Sequence, residues 1–141
     1  MSRFASRAAA LALALVVGCG GKSEPTAPDT GARAAAEAFF GALVANDPPG
    51  AYAQLDPDSK RRVSAERFAA LAGAYLKNVG FPVEKVHVRA SEEQGDGATV
   101  HVTLQGHSAG HSRRYSDGAT LRRAGGRWGV VLPANFGQKA H

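Results

Sequence analysis

The chain has 141 residues, with 17 Lys and Arg against 12 Asp and Glu and a single cysteine among 44% hydrophobic residues. One domain of ordinary size accounts for this length, and such a domain buries enough surface to fold without disulfides or metals. The composition therefore excludes a multidomain enzyme, a disulfide-stapled mini-protein and a disordered tail.

The N-terminus has the layout of an export signal. Arg3 and Arg7 precede an apolar run over residues 8–17, which glycines then end. A bilayer-spanning helix needs about 20 apolar residues, so this shorter run predicts a cleaved signal peptide over 1–18. Without the signal peptide, the chain has 15 basic and 12 acidic side chains, which gives a net charge of +3. Because no basic stripe with interleaved aromatics is present, nucleic acid is not an expected partner.

The signal ends in Val16-Val17-Gly18-Cys19. This segment resembles the lipobox of bacterial lipoproteins. The resemblance implies cleavage just before Cys19, a lipid on its sulfur and attachment of the exported chain to a membrane of the cell envelope. A lipid also accounts for an odd cysteine in an exported protein. Gly20 stands where some inner-membrane lipoproteins carry Asp, so the choice between inner and outer membrane stays open.

The first half of the mature chain reads as helical. Residues 19–31 have two prolines and no large apolar side chain, which predicts a flexible tether. Apolar spacing predicts a helix over 32–45, followed by a break at 46–50 and a short turn over 51–55. A helical turn from Asp56 and a helix over 65–78, begun by Ser64 and ended by Gly80, come next.

From Phe81 the hydrophobic period changes from 3.6 to 2, which is typical of strands. Two strands over 83–89 and 99–105 are expected to pair through a hairpin at 92–97. A third strand over 112–123, with a bulge at Asp117-Gly118, and a fourth over 127–132 follow. Residues 134–141 read as a frayed tail. The pattern predicts an α+β domain over 32–133, with helices packed on a curved antiparallel four-stranded sheet.

Three segments carry a resemblance to a known superfamily. They are Ala35-Ala36-Glu37-Ala38-Phe39-Phe40, Asn46-Asp47-Pro48 with Tyr52, and residues 115–130, which include Gly125-Gly126-Arg127-Trp128. In this order they resemble the NTF2-like, or cystatin-like cone, superfamily. The resemblance implies a pocket between the sheet and the helices. The superfamily includes enzymes, transport factors and domains without known activity, so the fold does not decide the function.

The pocket is expected to hold an acid among aromatic side chains. Tyr115 and Asp117 lie on the same face of the third strand as Trp128 across the hairpin, and Tyr52 and Tyr75 can reach that face from the helices. A carboxylate in an apolar pocket beside phenols can act as a general base. An Asp-Gly pair is also typical of a bulge or turn, which is the simpler interpretation.

Two histidines lie on the other face of the first hairpin. If residues whose numbers sum to about 188 pair, His87 and His101 face each other at a Cβ separation of about 5 Å. Two imidazoles can share a metal, but a firm site needs three or four ligands, and Lys85 and Arg89 would repel a cation. A solvated outer face is the simpler interpretation, so no metal or cofactor is expected.

These features favour a membrane-anchored envelope lipoprotein whose domain binds a small ligand or an envelope protein without chemistry. No catalytic residue is assigned, since the sequence contains no nucleotide-binding or metalloprotease motif. One alternative is a pocket enzyme in which Asp117 and the tyrosines perform acid and base chemistry. The other is an assembly module that dimerises through the outer sheet face around His87 and His101.

Overall fold

The computed structural model describes residues 29–138, so the predicted signal peptide and Cys19 lie outside the described residues. Four helices precede four strands: α1 Ala32–Val44, α2 Pro48–Ala53, α3 Pro57–Arg62, α4 Ala65–Val79, β1 Val83–Gln94, β2 Gly97–Ser108, β3 His111–Ala124 and β4 Arg127–Val131. Within 29–138, no helix has both the length and the apolar character that a membrane crossing requires.

The connection after α1 is a helix rather than the predicted turn over 51–55. Pro48 occupies the first position of α2, where its fixed φ suits a helix and its missing N–H costs nothing. The Asp47 carboxylate accepts a hydrogen bond from the backbone N–H of Gly50 at 3.1 Å. Asp47 therefore caps a new helix where the proline pair had predicted only the end of the previous one.

The predicted starts of the next two helices are confirmed. The Asp56 carboxylate accepts a hydrogen bond from the Ser59 N–H at 3.0 Å, and the Ser64 hydroxyl accepts one from the Arg67 N–H at 3.2 Å. Gly80 ends α4 in the left-handed region, with φ 84°. Local capping chemistry thus sets the bounds of α3 and α4.

The sheet has the order β1-β2-β3-β4 and is antiparallel throughout. β3 pairs with β2 without interruption, so the predicted bulge at Asp117-Gly118 is wrong. The register shifts instead within β1, at Val83/Lys85 and Val88/Ala90. A bulge in β1 disturbs one ladder because β1 is an edge strand, whereas a bulge in β3 would disturb the sheet's interior.

The core lies between the helices and one face of the sheet. It is formed by alternate residues of the strands together with the apolar face of α1 and α4, including Phe40, Leu43, Phe68, Val100, Val102, Leu104, Leu121 and Val130, each no more than 2% exposed. This arrangement confirms the predicted α+β fold of helices packed on an antiparallel four-stranded sheet.

The segment after β4 packs on the core. The ring of Phe136 is 9% exposed and stacks on Phe68 and Tyr75, with centroid distances of 5.8 and 5.1 Å. The backbone carbonyl of Gly137 accepts a hydrogen bond from the Asn78 side chain at 3.2 Å. The predicted frayed tail is therefore wrong for residues 134–138, because one buried aromatic ring holds a segment that has no periodic pattern.

Candidate functional site

An open cleft of about 520 Å³ lies between the C-terminal half of α4, the middle of β3 and the segment 133–138. Tyr75 reaches it from α4, one turn before the helix ends, and Tyr115 and Asp117 reach it from β3. The two β3 residues pair with Leu104 and Val102, so they share the helix-facing side of the sheet. The structure thus brings together three of the five predicted pocket residues.

A hydrogen bond joins the helix to the sheet inside this cleft. The Tyr75 hydroxyl donates to Oδ2 of Asp117 at 2.6 Å, and the Gly118 N–H donates to Oδ1 at 2.7 Å. Burial raises the pKa of Tyr75 far above its ordinary value, and the hydrogen bond to Asp117 and the charges of Asp117 and Tyr115 add to this effect. Tyr75 therefore keeps its proton and serves as a donor.

Neutral groups are the hydrogen-bond partners of the Asp117 carboxylate. The ion pairs found within residues 29–138 all lie elsewhere, at Asp58, Glu84 and Asp96. Lys77 also lines the cleft, but its ammonium makes no ion pair with Asp117. Within residues 29–138, the Asp117 carboxylate therefore has two neutral hydrogen-bond donors and no basic ion-pair partner.

Aromatic rings form the apolar wall of the cleft. Tyr75 stacks on Phe136 at 5.1 Å with an interplanar angle of 15°, and Tyr115 meets Tyr75 edge-on at 6.4 Å and 89°. Tyr75 is only 7% exposed, whereas Tyr115 is half-buried, and both residues line the cleft. The packing of these rings holds the wall in place before any ligand arrives.

Tyr52 lies outside this cleft. Its hydroxyl donates to the backbone carbonyls of Val63 at 2.9 Å and Lys60 at 3.1 Å, and its ring lies 5.6 Å from Phe68. The side chain therefore holds the connection between α3 and α4, and its predicted place in the pocket is wrong.

Trp128 also lies outside the cleft, at the N-terminal end of α1. Its indole N–H donates to the Thr30 hydroxyl at 2.9 Å, and Arg123 lies over its ring at 5.2 Å from the centroid. The predicted pocket role of Trp128 is wrong because the residue pairs with Arg123, six positions along β3 from Asp117. At the usual strand rise this is a separation of about 20 Å.

Thr30 and Glu93 join Trp128 in a cluster that we call the N-terminal latch (Thr30, Ala32, Glu93, Arg123 and Trp128). Glu93 accepts hydrogen bonds from the Thr30 N–H at 2.8 Å, the Thr30 hydroxyl at 2.9 Å and the Ala32 N–H at 3.2 Å. Desolvation raises the pKa of Glu93, but these bonds and the Arg123 charge outweigh it and hold the pKa below its ordinary value. The end of the predicted tether, residues 29–31, is therefore bound to the domain.

The two candidate histidines do not face each other. His87 pairs with Thr103 and His101 pairs with Ala90, so the paired numbers sum to 190 and 191 rather than to the predicted 188, because the hairpin turn pairs Gln94 with Gly97. The His101 ring lies instead beside the Cα of Gly118, where an added Cβ would stand 3.4 Å from its Nδ1. Within residues 29–138, no group of three or more His, Cys, Asp or Glu side chains could hold a metal. Homodimerisation through this outer face stays a prediction.

The sequence interpretation missed the C-terminal wall of the cleft and the latch. Phe136 is the one aromatic residue after Trp128, and that isolated ring is the signal that could have suggested an anchored segment. Glu93 lies within the predicted hairpin connection at 92–97, and no pattern in the sequence links it to Thr30.

No protein-family model matches the sequence, and a search of curated proteins finds no match. Solved structures share its fold. A putative NTF2-like transpeptidase from Campylobacter jejuni is 18% identical, with a TM-score of 0.51, over 70% of this chain and 94% of that one. A putative calcium/calmodulin-dependent protein kinase type II association domain from Thiobacillus denitrificans is 20% identical, with a TM-score of 0.54, over 77% and 94%. At these identities the likeness establishes the fold alone, and that fold is NTF2-like.

Proposed function

We propose that this chain is a lipid-anchored protein of the bacterial cell envelope whose NTF2-like domain binds a small molecule in the cleft without chemistry. The observation that carries the proposal is a cleft of about 520 Å³ with aromatic walls and one oriented carboxylate. Small-molecule sites have volumes of about 300–1,000 Å³ and combine apolar walls with a few placed polar groups.

Binding is favoured over acid and base chemistry by the state of Tyr75. A catalytic phenol must exchange its proton with a substrate, but the Tyr75 proton is engaged by Asp117 at 2.6 Å and the hydroxyl is buried. Tyr52 lies outside the cleft and donates to backbone carbonyls. Of the predicted pocket residues, the enzyme alternative is therefore left with Asp117 and Tyr115.

The binding proposal is tested with a set of small, chemically varied fragments added to the purified protein, followed by amide chemical shifts in NMR spectra. We expect fragments that bind to shift the amides of Tyr115, Gly118 and Phe136 together. Tyr115→Ala should weaken this binding, whereas Ser116→Ala, a neighbouring change on the opposite face of β3, should not. The proposal fails when no fragment shifts the cleft amides or when the two variants behave alike.

The anchor is tested separately, because Cys19 lies outside the described residues. In the host, Cys19→Ser should abolish both incorporation of labelled palmitate and partition into membranes, since stable attachment requires the acyl chains. Ser23→Ala, a change within the predicted tether, is the matched control and should preserve both. Unchanged membrane partition of Cys19→Ser would refute the anchor and leave the binding proposal intact.

A further inference from the structure

The cleft offers a carboxylate that neutral groups satisfy only in part. Oδ2 of Asp117 accepts one hydrogen bond from Tyr75 and Oδ1 accepts one from the adjacent N–H of Gly118. A carboxylate has about four acceptor positions, so about two remain for a ligand. Both donors are uncharged, and within residues 29–138 no basic side chain forms an ion pair with this partly buried carboxylate.

The same cleft offers an aromatic surface next to that charge. Tyr115 is two residues before Asp117 on the same face of β3, and its ring meets Tyr75 edge-on at 6.4 Å. The face of an aromatic ring is electronegative and attracts a cation within about 6 Å of its centroid. A ligand that binds both groups therefore carries a positive charge beside an apolar body.

We propose that the ligand of this cleft is an organic ammonium ion, with its charged nitrogen at Asp117 and its apolar part against Tyr115 and Phe136. This inference rests on the small-molecule binding proposed above and names the class of ligand. Tyr75 acts as a positioning residue, since its hydroxyl orients Oδ2 from the buried side. A carboxylate ligand would meet Asp117 as a like charge in a partly desolvated site, which is unfavourable.

Lys77 is the other charged residue that lines the cleft. Its side chain lies on the exposed side of α4, where water and salt weaken its influence on a bound charge. Lys77→Ala should therefore change the affinity for an ammonium ion little or increase it slightly. A loss of affinity in this variant would contradict the proposed orientation.

The test compares three probes of similar size on the purified full chain: phenethylamine, phenethyl alcohol and hydrocinnamate. We expect phenethylamine to shift the cleft amides. Its Kd should be lower than that of the alcohol by a factor of about ten or more, because a charged hydrogen bond to Asp117 replaces a neutral one. Hydrocinnamate should bind most weakly. Asp117→Asn should remove the preference for the amine while the alcohol binds as before, and Ser116→Ala should preserve it.

The outcomes separate the two proposals. If the alcohol binds in the cleft as tightly as the amine, the cation inference is overturned and small-molecule binding stands. The same holds if other fragments shift the cleft amides while phenethylamine does not. If no fragment shifts them, both proposals are overturned. The comparison of probes on the unmodified protein gives this answer even if Asp117→Asn does not fold.

Discussion

Replacing Phe136 with alanine tests whether the segment after β4 belongs to the core. The ring is 9% exposed and packs against Phe68, Tyr75 and Phe39, with centroids 5.8, 5.1 and 6.2 Å away. Phe→Ala substitutions in cores cost about 3–5 kcal/mol. Because residues 133–138 form turns rather than a helix or strand, this segment can relax into the gap, so we expect the lower value, about 3 kcal/mol.

Urea denaturation followed by circular dichroism measures this loss as a lower midpoint with an unchanged slope. In a thermal scan, 3 kcal/mol corresponds to a Tm lower by about 12 °C for a domain of this size. Gln138→Ala is the control, because its side chain is exposed and should change stability by no more than about 0.5 kcal/mol. A Phe136→Ala variant as stable as this control would refute the docking of the segment.

Three further predictions concern backbone packing and pH. Gly129→Ala should lower the free energy of unfolding by about 1–3 kcal/mol, because a Cβ there would lie 2.6 Å from the Cα of Asp56. Gly41→Ala should raise it by about 0.5–1 kcal/mol, because a Cβ at this position of α1 would meet open space. Equal urea midpoints for the two variants would contradict this. Because the pKa of Glu93 is lowered in the folded protein, its contribution to stability is present above its ordinary pKa and is lost as pH falls through the folded-state pKa. Glu93→Gln should therefore flatten the acid side of a plot of Tm against pH. Parallel curves would contradict it. Because the pKa of Tyr75 is raised, its contribution to stability is present below pH 10.0 and declines as pH rises above that value. Tyr75 then stays protonated in the folded protein at alkaline pH, so Tyr75→Phe should leave the tyrosinate absorbance of the alkaline folded protein unchanged. A smaller absorbance in the variant would show that Tyr75 ionises.

The starts of α3 and α4 and the end of α4 could be predicted from the sequence because their causes are local. Asp56 and Ser64 satisfy N–H groups three residues ahead, and Gly80 adopts a φ that other residues avoid. Strand register could not be predicted in the same way. The two irregularities of β1 change which residues face each other across the sheet, and cross-strand packing rather than the period of the sequence sets them. The misplaced pair His87 and His101 follows from the hairpin turn, which pairs Gln94 with Gly97 and so sets a register that the hydrophobic period does not contain.

In the candidate site too, features with local causes were predicted and features set by tertiary packing were not. Period-2 alternation predicted that Tyr115 and Asp117 share one face of the third strand. The helical period predicted that Tyr75 reaches this face from the helix. Alternation also placed Trp128 on that face, but a shared face does not fix position along a strand, and Trp128 lies at the latch. Phe136 was missed because a five-residue segment without a period contains no information about where its one ring docks.

The latch and the cleft lie at different positions along β3, and this matters for a tethered domain. Arg123 donates to the Thr30 hydroxyl at 3.2 Å, whereas Asp117 lies six residues earlier on the strand, about 20 Å away. Glu93 holds Thr30 and Ala32 against the first turn of α1, so the chain joins the domain in one fixed place. In the proposed anchored protein, the described end of the tether and the ligand cleft therefore lie at separate points of the domain.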